Sequence, residues 1–292
     1  MADLPQSFLD SMKEILGEDY EAFLAGFDGQ RQYGLRVNTL KMNLEEFERI
    51  APFHLKKVPW ISNGYFYEAE DVPAKHPFYS AGLYYLQEPS AMTPASRLKV
   101  QPGERVLDLC AAPGGKATEL GAALQGEGLL GANDINTARA RALLRNLELF
   151  GISNSFVTNE PPHVLAERFP EFFHKIMVDA PCSGIGLIRR TPDIKYNKES
   201  ADFVSLQAIQ LAILDSVCQS VRKGGIIVYS TCTIMGKENF EVVDQFLKNH
   251  PNFEQVPLDH ERKDILKNDC ILITPELYGS DGFFISRFKR IS

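Results

Sequence analysis

The sequence predicts a doubly wound α/β domain preceded by a smaller α+β domain. From about residue 102 onward, short apolar strands alternate with amphipathic helices, which is typical of a parallel sheet covered on both faces. The preceding residues instead combine short helices with aromatic-rich strands, and Pro102 and Gly103 mark the join. We therefore expect an N-terminal domain over residues 1–98 and a larger domain over residues 99–292.

The larger domain contains six apolar segments that favour strands. They cover residues 105–111, 129–135, 155–159, 175–180, 225–232 and 282–289. Asn136 is placed to cap a helix that runs to Leu149 and stops at Gly151. A long helix with an apolar face is expected over 203–221, ending at the glycine turn 223–225.

The first domain has shorter and more mixed elements. We expect helices over 6–16, 19–25 and 44–50, strands over 35–40 and near 64–68, and a helical stretch from 80 to 98.

Length and composition exclude several classes of protein. A chain of 292 residues with 44% hydrophobic residues can bury a large core, which argues against wholesale disorder. Charged residues interrupt the N-terminus and argue against a signal peptide, and no stretch approaches the ~20 apolar residues that span a bilayer. We therefore expect a soluble, cytoplasmic protein with no membrane partner.

The five cysteines are widely scattered, and no two form a C-x-x-C pair. This pattern argues against a disulfide framework and against a structural zinc site, so no metal is predicted. Cys218 and Cys270 are expected to be small buried core residues.

The net charge of -7 and the pI near 5.5 do not favour a nucleic-acid binder. An RNA substrate requires the positive charge to be gathered on one face. Basic clusters do exist, although such runs are more often only solvated surface. They are Lys56 with Lys57, Arg189 and Arg190 with Lys195, and Arg287 with Lys289 and Arg290.

The segment R-V-L-D-L-C-A-A-P-G-G-K-A-T carries a strand into a glycine turn and then a helix. It is not a phosphate-binding P-loop, which would need glycine at Cys110 and a hydroxyl residue at Ala117. A small turn beside Asp108 suits a ligand with a positive end, such as a sulfonium or an amine. Asp134, at the end of the next strand, is either a ribose ligand or a helix N-terminal acid. Asn159 follows the third strand and is a candidate for contact with an adenine edge, so the pattern indicates a nucleoside-bearing cofactor.

Two cysteines stand where strands are predicted to end: Cys182 in D-A-P-C-S-G and Cys232 in S-T-C. Cytosine C5 is too weak a nucleophile to take a methyl group unaided, and addition of a thiolate to C6 activates it. A second acid or base then helps to release the product. Asp179 is placed to hydrogen-bond the base, and Lys116 to lower a thiol pKa or to contact the base or its phosphate. The alternative is that both cysteines only pack the core.

Four motifs resemble those of a known family in order and spacing: D-L-C-A-A-P-G-G-K (108–116), D-A-P-C-S-G (179–184), R-R-T-P-D-I (189–194) and Y-S-T-C-T (229–233). The family is that of the RsmB/RsmF-like (Nop/Sun) RNA 5-methylcytosine methyltransferases, nearest the bacterial RsmF-like branch. R-V-N-T-L (36–40) and Y-Y-L-Q-E-P-S-A-M (84–92) extend the resemblance into the N-terminal segment. The resemblance implies a class I methyltransferase domain with a seven-stranded sheet, S-adenosylmethionine as cofactor, and an RNA substrate, with ribosomal RNA favoured over transfer RNA.

The resemblance also implies roles for single residues. Cys232 would be the nucleophile, Cys182 would assist product release, Asp179 would lie near the methyl donor and the base, and Asp134 would bind the ribose. The turn that lines the cofactor pocket would consist of Cys110, Ala111, Ala112, Pro113, Gly114, Gly115 and Lys116.

RNA recognition is expected in residues 1–98, where Arg36 is the strongest candidate for a phosphate contact. Arg189 and Arg190 are further RNA-binding candidates, whereas most aromatic residues of the small domain are expected to pack it. Two rival interpretations stay open. One is a methyltransferase acting on a small molecule or a protein, with both cysteines structural; the other is a non-catalytic RNA-binding factor of ribosome assembly.

Overall fold

The computed structural model of the chain describes residues 6–26, 31–187 and 200–292. Arg189, Arg190 and Lys195, which form one of the basic clusters, lie outside these residues. No helix within the described ranges is long and apolar enough to cross a membrane.

A small antiparallel sheet organises the N-terminal part of the chain. Its strands are β1 (Tyr33–Val37), β2 (Lys56–Lys57), β3 (Gly64–Tyr67) and β4 (Tyr84–Leu86). The accompanying helices are α1 (Gln6–Leu16), α2 (Tyr20–Gly26), α3 (Leu44–Ile50), α4 (Pro77–Ser80) and α5 (Thr93–Arg97). The order in the sheet is β2-β3-β1-β4, and Phe47 of α3 packs on its buried face. Met12 of α1 and Phe23 of α2 instead pack into a core of the larger sheet.

The helical stretch predicted over 80–98 is wrong. Gly82 adopts a left-handed conformation with a φ of 68°, and β4 then pairs with β1, with Leu86 opposite Leu35. Within this stretch only Ser80, the last residue of α4, and α5 are α-helical. The reason is a non-local pairing: Tyr84 is fully buried in the small sheet, and this burial outweighs the local helical pattern.

The rest of the chain alternates strands and helices around a large sheet. Its strands are β5 (Arg105–Asp108), β6 (Leu129–Asn133), β7 (Ser155–Thr158), β8 (Phe173–Asp179), β9 (Val221–Thr231), β10 (Phe253–Gln255), β11 (Leu266–Lys267), β12 (Cys270–Ile273) and β13 (Phe283–Arg290). Its helices are α6 (Gly115–Ala123), α7 (Thr137–Phe150), α8 (Pro162–Arg168), α9 (Ser200–Val217), α10 (Phe240–Asn249) and α11 (Pro275–Tyr278).

The strand order is β11-β12-β13-β9-β8-β5-β6-β7, with β10 paired to β13. The five neighbouring strands β9, β8, β5, β6 and β7 run parallel, and β13 is inserted antiparallel between β9 and β12. Over the described residues the sheet has nine strands rather than seven, because the short strands β10 and β11 extend it. The other seven form the doubly wound sheet that the sequence predicts.

Two cores lie on opposite faces of the large sheet. Ile176 and Val178 of β8 pack with α8, α9 and α10, whereas Met177 between them packs with α6 and α7. Cys218 and Cys270 belong to the first of these cores, with exposed fractions of 6% and 0%. Their predicted packing role is confirmed.

Helix α7 has the predicted ends. Oδ1 of Asn136 accepts a hydrogen bond from the backbone N–H of Arg139, and Gly151 closes the helix with a φ of 77°. These two residues fix where the helix starts and stops beside the turn 110–116, which we call the cofactor turn after its predicted role.

The end predicted for α9 is wrong. The helix stops at Val217, and Val221 already pairs with Phe173 of β8. Strand pairing resumes only at Ile226 opposite Lys175, so the glycines at 224–225 form a bulge within β9 rather than the end of the helix.

Candidate active site

The carboxyl ends of four parallel strands meet at one edge of the large sheet. Here β5 ends at Asp108, β6 runs into Asp134, β8 ends at Asp179, and β9 ends at Thr231 directly before Cys232. The neighbouring order β9-β8-β5-β6 gathers these residues at the edge where open α/β sheets bind their ligands.

The turn between β5 and α6 depends on its glycines. Gly114 has a φ of 118°, a region that other residues adopt only with strain. A β-carbon on Gly115 would lie 3.0 Å from Nε2 of Gln87 and 3.3 Å from a ring carbon of Tyr85. The small sheet therefore lies directly against the turn and closes one side of the site.

A cavity of about 270 Å³ lies between the turn and the small sheet. The turn contributes six of the predicted cofactor residues: Cys110, Ala111, Ala112, Pro113, Gly115 and Lys116. The opposite wall and the floor come from Tyr85, Leu86, Gln87, Glu88, Ala91, Asp108 and Asp179. Gly114 does not line this space, and its contribution is the shape of the turn.

Asp108 is an unusual group in this cavity. Its side chain is fully buried, and neither carboxyl oxygen accepts a hydrogen bond of normal geometry from the described residues. Burial, followed by the nearby Asp179 carboxylate, raises the pKa of Asp108 to about 8, against the opposing effect of Lys116. A buried carboxyl without partners is costly unless a ligand supplies them. The cavity therefore fits a ligand with a positive end, such as the sulfonium and amine of S-adenosylmethionine.

Asp179 is held by two side chains. Its Oδ2 accepts a hydrogen bond from Nζ of Lys116 at 2.8 Å, and its Oδ1 accepts one from Oγ of Ser230 at 2.7 Å. Burial by itself lowers the pKa of Lys116, but Asp179, with smaller contributions from Asp108 and Cys232, raises it, and the net pKa is raised. Asp179 lines both the cofactor cavity and a second cavity of about 440 Å³, so it lies where the two spaces meet.

The second cavity contains both predicted catalytic cysteines. Sγ of Cys182 lies 3.2 Å from Sγ of Cys232, and Cys110 and Ala112 of the cofactor turn line the same space. The hydrogen bond with Cys232, together with burial, holds the pKa of Cys182 well above its usual value. A protonated thiol is thus placed beside a second sulfur that opens toward the cofactor turn.

Arg36 does not lie where an RNA contact requires it. Its side chain is fully buried, and Nη2 donates hydrogen bonds to the carbonyl oxygen of Gly115 at 2.6 Å and to Oγ1 of Thr118 at 2.8 Å. Nε lies 3.5 Å from a carboxyl oxygen of Glu119. The predicted phosphate contact is therefore wrong, because burial excludes it. Arg36 instead joins the small sheet to the first turn of α6.

Comparison with protein families agrees with this geometry. Residues 95–289 match the model of the 16S rRNA methyltransferase RsmB/F, and residues 4–89 match that of the N-terminal domain of 16S rRNA methyltransferase RsmF. The chain belongs to the RsmB/F methyltransferase family. The resemblance carried by the motifs is therefore confirmed.

Relatives in this family and solved structures give a consistent picture. Ribosomal RNA small subunit methyltransferase F of Enterobacter sp. (strain 638) is 33% identical, and the match covers 98% of this chain but 63% of that protein. The chain thus spans somewhat less than two thirds of the length of this relative. A methyltransferase homologue from Pyrococcus horikoshii has a TM-score of 0.86 at 28% identity, covering 99% of this chain and 96% of its own. The structure of NSun6 from Pyrococcus horikoshii with SFG also has a TM-score of 0.86, at 18% identity over 100% of this chain and 99% of its own, and supports the fold.

Asp134 makes the contacts of an acid at the start of a helix, and its contact with a ribose stays a prediction. Its Oδ1 accepts a hydrogen bond from the backbone N–H of Asn136 at 2.9 Å, and its Oδ2 lies 3.4 Å from Nη2 of Arg139. It therefore acts as an acid at the start of α7, and it also lines the cavity of the cysteines. Asn159 lines neither cavity: its side chain donates to the carbonyl oxygen of Asp134 and accepts from Thr137. Its contact with adenine stays a prediction.

Sequence reasoning missed Glu88, which lines the cofactor cavity. Its carboxyl accepts hydrogen bonds from the backbone N–H groups of Asp281 at 2.9 Å and Ser90 at 2.8 Å. Burial, followed by the Asp281 carboxylate, raises the pKa of Glu88 to about 7. The signal lay in Y-Y-L-Q-E-P-S-A-M, but the expected helix over 80–98 concealed that Glu88 follows a strand beside the turn.

Proposed function

We propose that the protein transfers a methyl group from S-adenosylmethionine to C5 of a cytosine in ribosomal RNA, with Cys232 as the nucleophile. The 3.2 Å approach of the Cys182 and Cys232 sulfurs, in a cavity shared with the cofactor turn, carries this proposal. A methyltransferase of small molecules or proteins has no use for two thiols at this point. Family membership and the name of the Enterobacter relative support an RNA of the small ribosomal subunit, a substrate found in the cytoplasm.

The cofactor would be held by the turn 110–116 and by Asp108. When bound, S-adenosylmethionine supplies a methyl group that is electrophilic because it is attached to a sulfonium. The unpaired carboxyl of Asp108 would accept hydrogen bonds or face positive charge, and the buried carboxyl of Asp134 would accept hydrogen bonds from the ribose diol. Asp179, at the junction of the two cavities, would contact the N3 and N4 edge of the base and favour its protonated, electrophilic form.

The Cys232 thiolate would add to C6 of the cytosine. The sulfur forms a bond to C6, and the electron pair of the C5–C6 double bond moves to C5, which takes the methyl group. The raised pKa of Cys182, which the hydrogen bond with Cys232 and burial cause, supports the assignment of Cys182 as a protonated thiol beside the attacking sulfur.

Cys182 would then act in product release. Once the Cys232 sulfur is bonded to carbon, the thiol partner that contributes most to the raised pKa of Cys182 is gone. The pKa of Cys182 therefore falls, its proton leaves to solvent, and its thiolate removes the proton on C5. The electron pair of that C–H bond restores the C5–C6 double bond and expels Cys232 as a thiolate.

The test is methylation of purified RNA followed by analysis of the nucleosides by mass spectrometry. With S-adenosylmethionine and small-subunit ribosomal RNA, we expect 5-methylcytidine from the wild-type protein and none from Cys232→Ala. Formation of 5-methylcytidine by Cys232→Ala would overturn the covalent mechanism. Methylation of transfer RNA but not of ribosomal RNA would overturn the proposed substrate.

A further inference from the structure

A buried Glu-Asn pair, which the mechanism above does not use, lies beside the loops that carry the two cysteines. Glu238 closes the short 3-10 turn Gly236–Glu238 after β9, and Asn239 directly precedes α10. Both side chains have exposed fractions of 0%. Neither lines the cavity that contains Cys182 and Cys232, so neither is placed to touch the base.

Glu238 holds the loop of Cys182. Its Oε2 accepts hydrogen bonds from the backbone N–H of Ser183 at 2.8 Å and from Nε2 of Gln210 at 3.0 Å. The same Nε2 of Gln210 donates to the carbonyl oxygen of Pro181 at 3.0 Å. The residues on both sides of Cys182 are therefore tied to one carboxyl and one amide.

Asn239 holds the loop of Cys232 in the same manner. Its Nδ2 donates to the carbonyl oxygen of Thr233 at 2.9 Å, and its Oδ1 accepts from Oγ1 of Thr231 at 2.6 Å. These two threonines flank Cys232. Two hydrogen bonds join the two loops away from the sulfurs: Oγ of Ser183 donates to Oγ1 of Thr233 at 3.0 Å, and the backbone N–H of Gly186 donates to the carbonyl oxygen of Cys232 at 3.0 Å.

Stability alone does not favour a carboxyl group at this position. The backbone of Glu238 is anchored by the hydroxyl of Tyr229, which donates to its carbonyl oxygen at 2.6 Å. The side chain, however, has one oxygen, Oε1, without a hydrogen-bond partner among the described residues. Burying such a group costs free energy that an apolar side chain would not. The hydrogen bonds by which the Glu238 carboxyl holds the loop of Cys182 supply a reason for its presence at this position.

We infer that Glu238 and Asn239 are positioning residues that set the two catalytic sulfurs separately, Glu238 that of Cys182 and Asn239 that of Cys232. This inference rests on the proposed function, in which Cys232 attacks the base and Cys182 releases the product. Displacement of a reacting group by ~1 Å can slow a step by about 100-fold. Loss of each positioning residue should therefore slow a different step.

Two assays separate the steps. Capture of RNA that contains 5-fluorocytidine measures attack and methyl transfer, because the fluorine on C5 blocks release. The fraction of protein bound covalently to ordinary RNA during turnover measures slow release. The variants are Glu238→Ala, Glu238→Gln and Asn239→Ala, with Cys182→Ala as the reference for slow release. Two exposed residues of α10 provide matched controls, Glu241→Gln and Asn249→Ala.

Glu238→Ala should capture the fluorinated RNA within about threefold of the wild-type rate, yet accumulate adduct on ordinary RNA and turn over about 10- to 100-fold more slowly. Asn239→Ala should capture about 10- to 100-fold more slowly and accumulate no adduct. Glu238→Gln keeps one hydrogen-bond acceptor, so its turnover rate and its accumulation of adduct should lie between those of wild type and Glu238→Ala. If Glu238→Ala does not fold, Glu238→Gln is the variant that tests the inference. Equal slowing of both steps in the Glu238 and Asn239 variants, or wild-type behaviour, would overturn the inference while leaving the proposed function intact. Absence of adduct with Cys182→Ala on ordinary RNA would overturn both.

Discussion

Replacing Asp108 by asparagine should make the stability of the cofactor-free protein less sensitive to pH. Burial and the Asp179 carboxylate raise the pKa of Asp108 from 3.8 to about 8 in the folded protein. Between these values the folded state keeps a proton that the unfolded state has lost, so the contribution of Asp108 to stability falls as pH rises. This pKa shift lowers the free energy of unfolding by roughly 6 kcal/mol once the pH is above 8. Between pH 4.5 and 7.5 the decrease is roughly 4 kcal/mol.

Denaturant unfolding at several pH values measures this effect. The free energy of unfolding of Asp108→Asn, relative to wild type, should rise by roughly 4 kcal/mol from pH 4.5 to pH 7.5. Asp244 is an exposed aspartate on α10, and Asp244→Asn serves as the control that should show no such trend. A difference between Asp108→Asn and wild type that stays constant with pH would refute the reasoning.

Cofactor binding should release the same proton. A positive ligand next to Asp108 lowers its pKa again, and at pH 7 a group with a pKa of about 8 is about 90% protonated. Calorimetric titration in buffers of different ionisation enthalpy counts the protons released. Glu88 lines the same cavity and also releases protons on binding. The contribution of Asp108 is therefore the difference in the number of protons released between wild type and Asp108→Asn. We expect a difference of about 0.9 proton, and an equal count in both proteins would contradict the assignment.

Substitutions at three other residues distinguish chemistry from packing. Cys182→Ala should accumulate a covalent adduct on ordinary RNA, seen as a shifted band on a denaturing gel; normal turnover would contradict its role. Arg36→Met should lower the free energy of unfolding by about 3 to 5 kcal/mol, because it leaves the largely buried Glu119 without its cation, and should weaken cofactor binding. Arg36→Lys keeps the charge without the forked geometry and should recover only part of the stability; a fully stable Arg36→Met would contradict the buried contact. Cys218→Ala should cost about 1 kcal/mol of stability and change the methylation rate less than about twofold, and loss of activity would contradict its packing role.

The order of strands and helices was predictable because a sheet buried on both faces leaves continuous apolar segments separated by capped helices. Asn136 and Gly151 mark the ends of α7 in the sequence as they do in the structure. The errors fall where a distant segment decides the local structure. Tyr84 joins a strand because β1 lies beside it, and Val221 leaves the helical pattern because Phe173 pairs with it.

The candidate site likewise has features that the sequence predicts and features that depend on contacts with a distant segment. Cys182 and Cys232 follow two neighbouring parallel strands, so their shared location follows from topology, and the structure adds the 3.2 Å distance between their sulfurs. The burial of Arg36 and the position of Glu88 depend on how the small sheet packs against the cofactor turn. No local pattern encodes that packing, which explains why Arg36 was given the wrong role and Glu88 was missed.

Identification of the amino acid that becomes bonded to the base tests the central claim most directly. The protein is incubated with S-adenosylmethionine and RNA containing 5-fluorocytidine, digested with protease, and the peptide that carries the nucleotide is sequenced by mass spectrometry. We predict a modified peptide that contains Cys232, with no capture by Cys232→Ala. A modified Cys182 would exchange the two roles, and the absence of any covalent product with active protein would contradict the account.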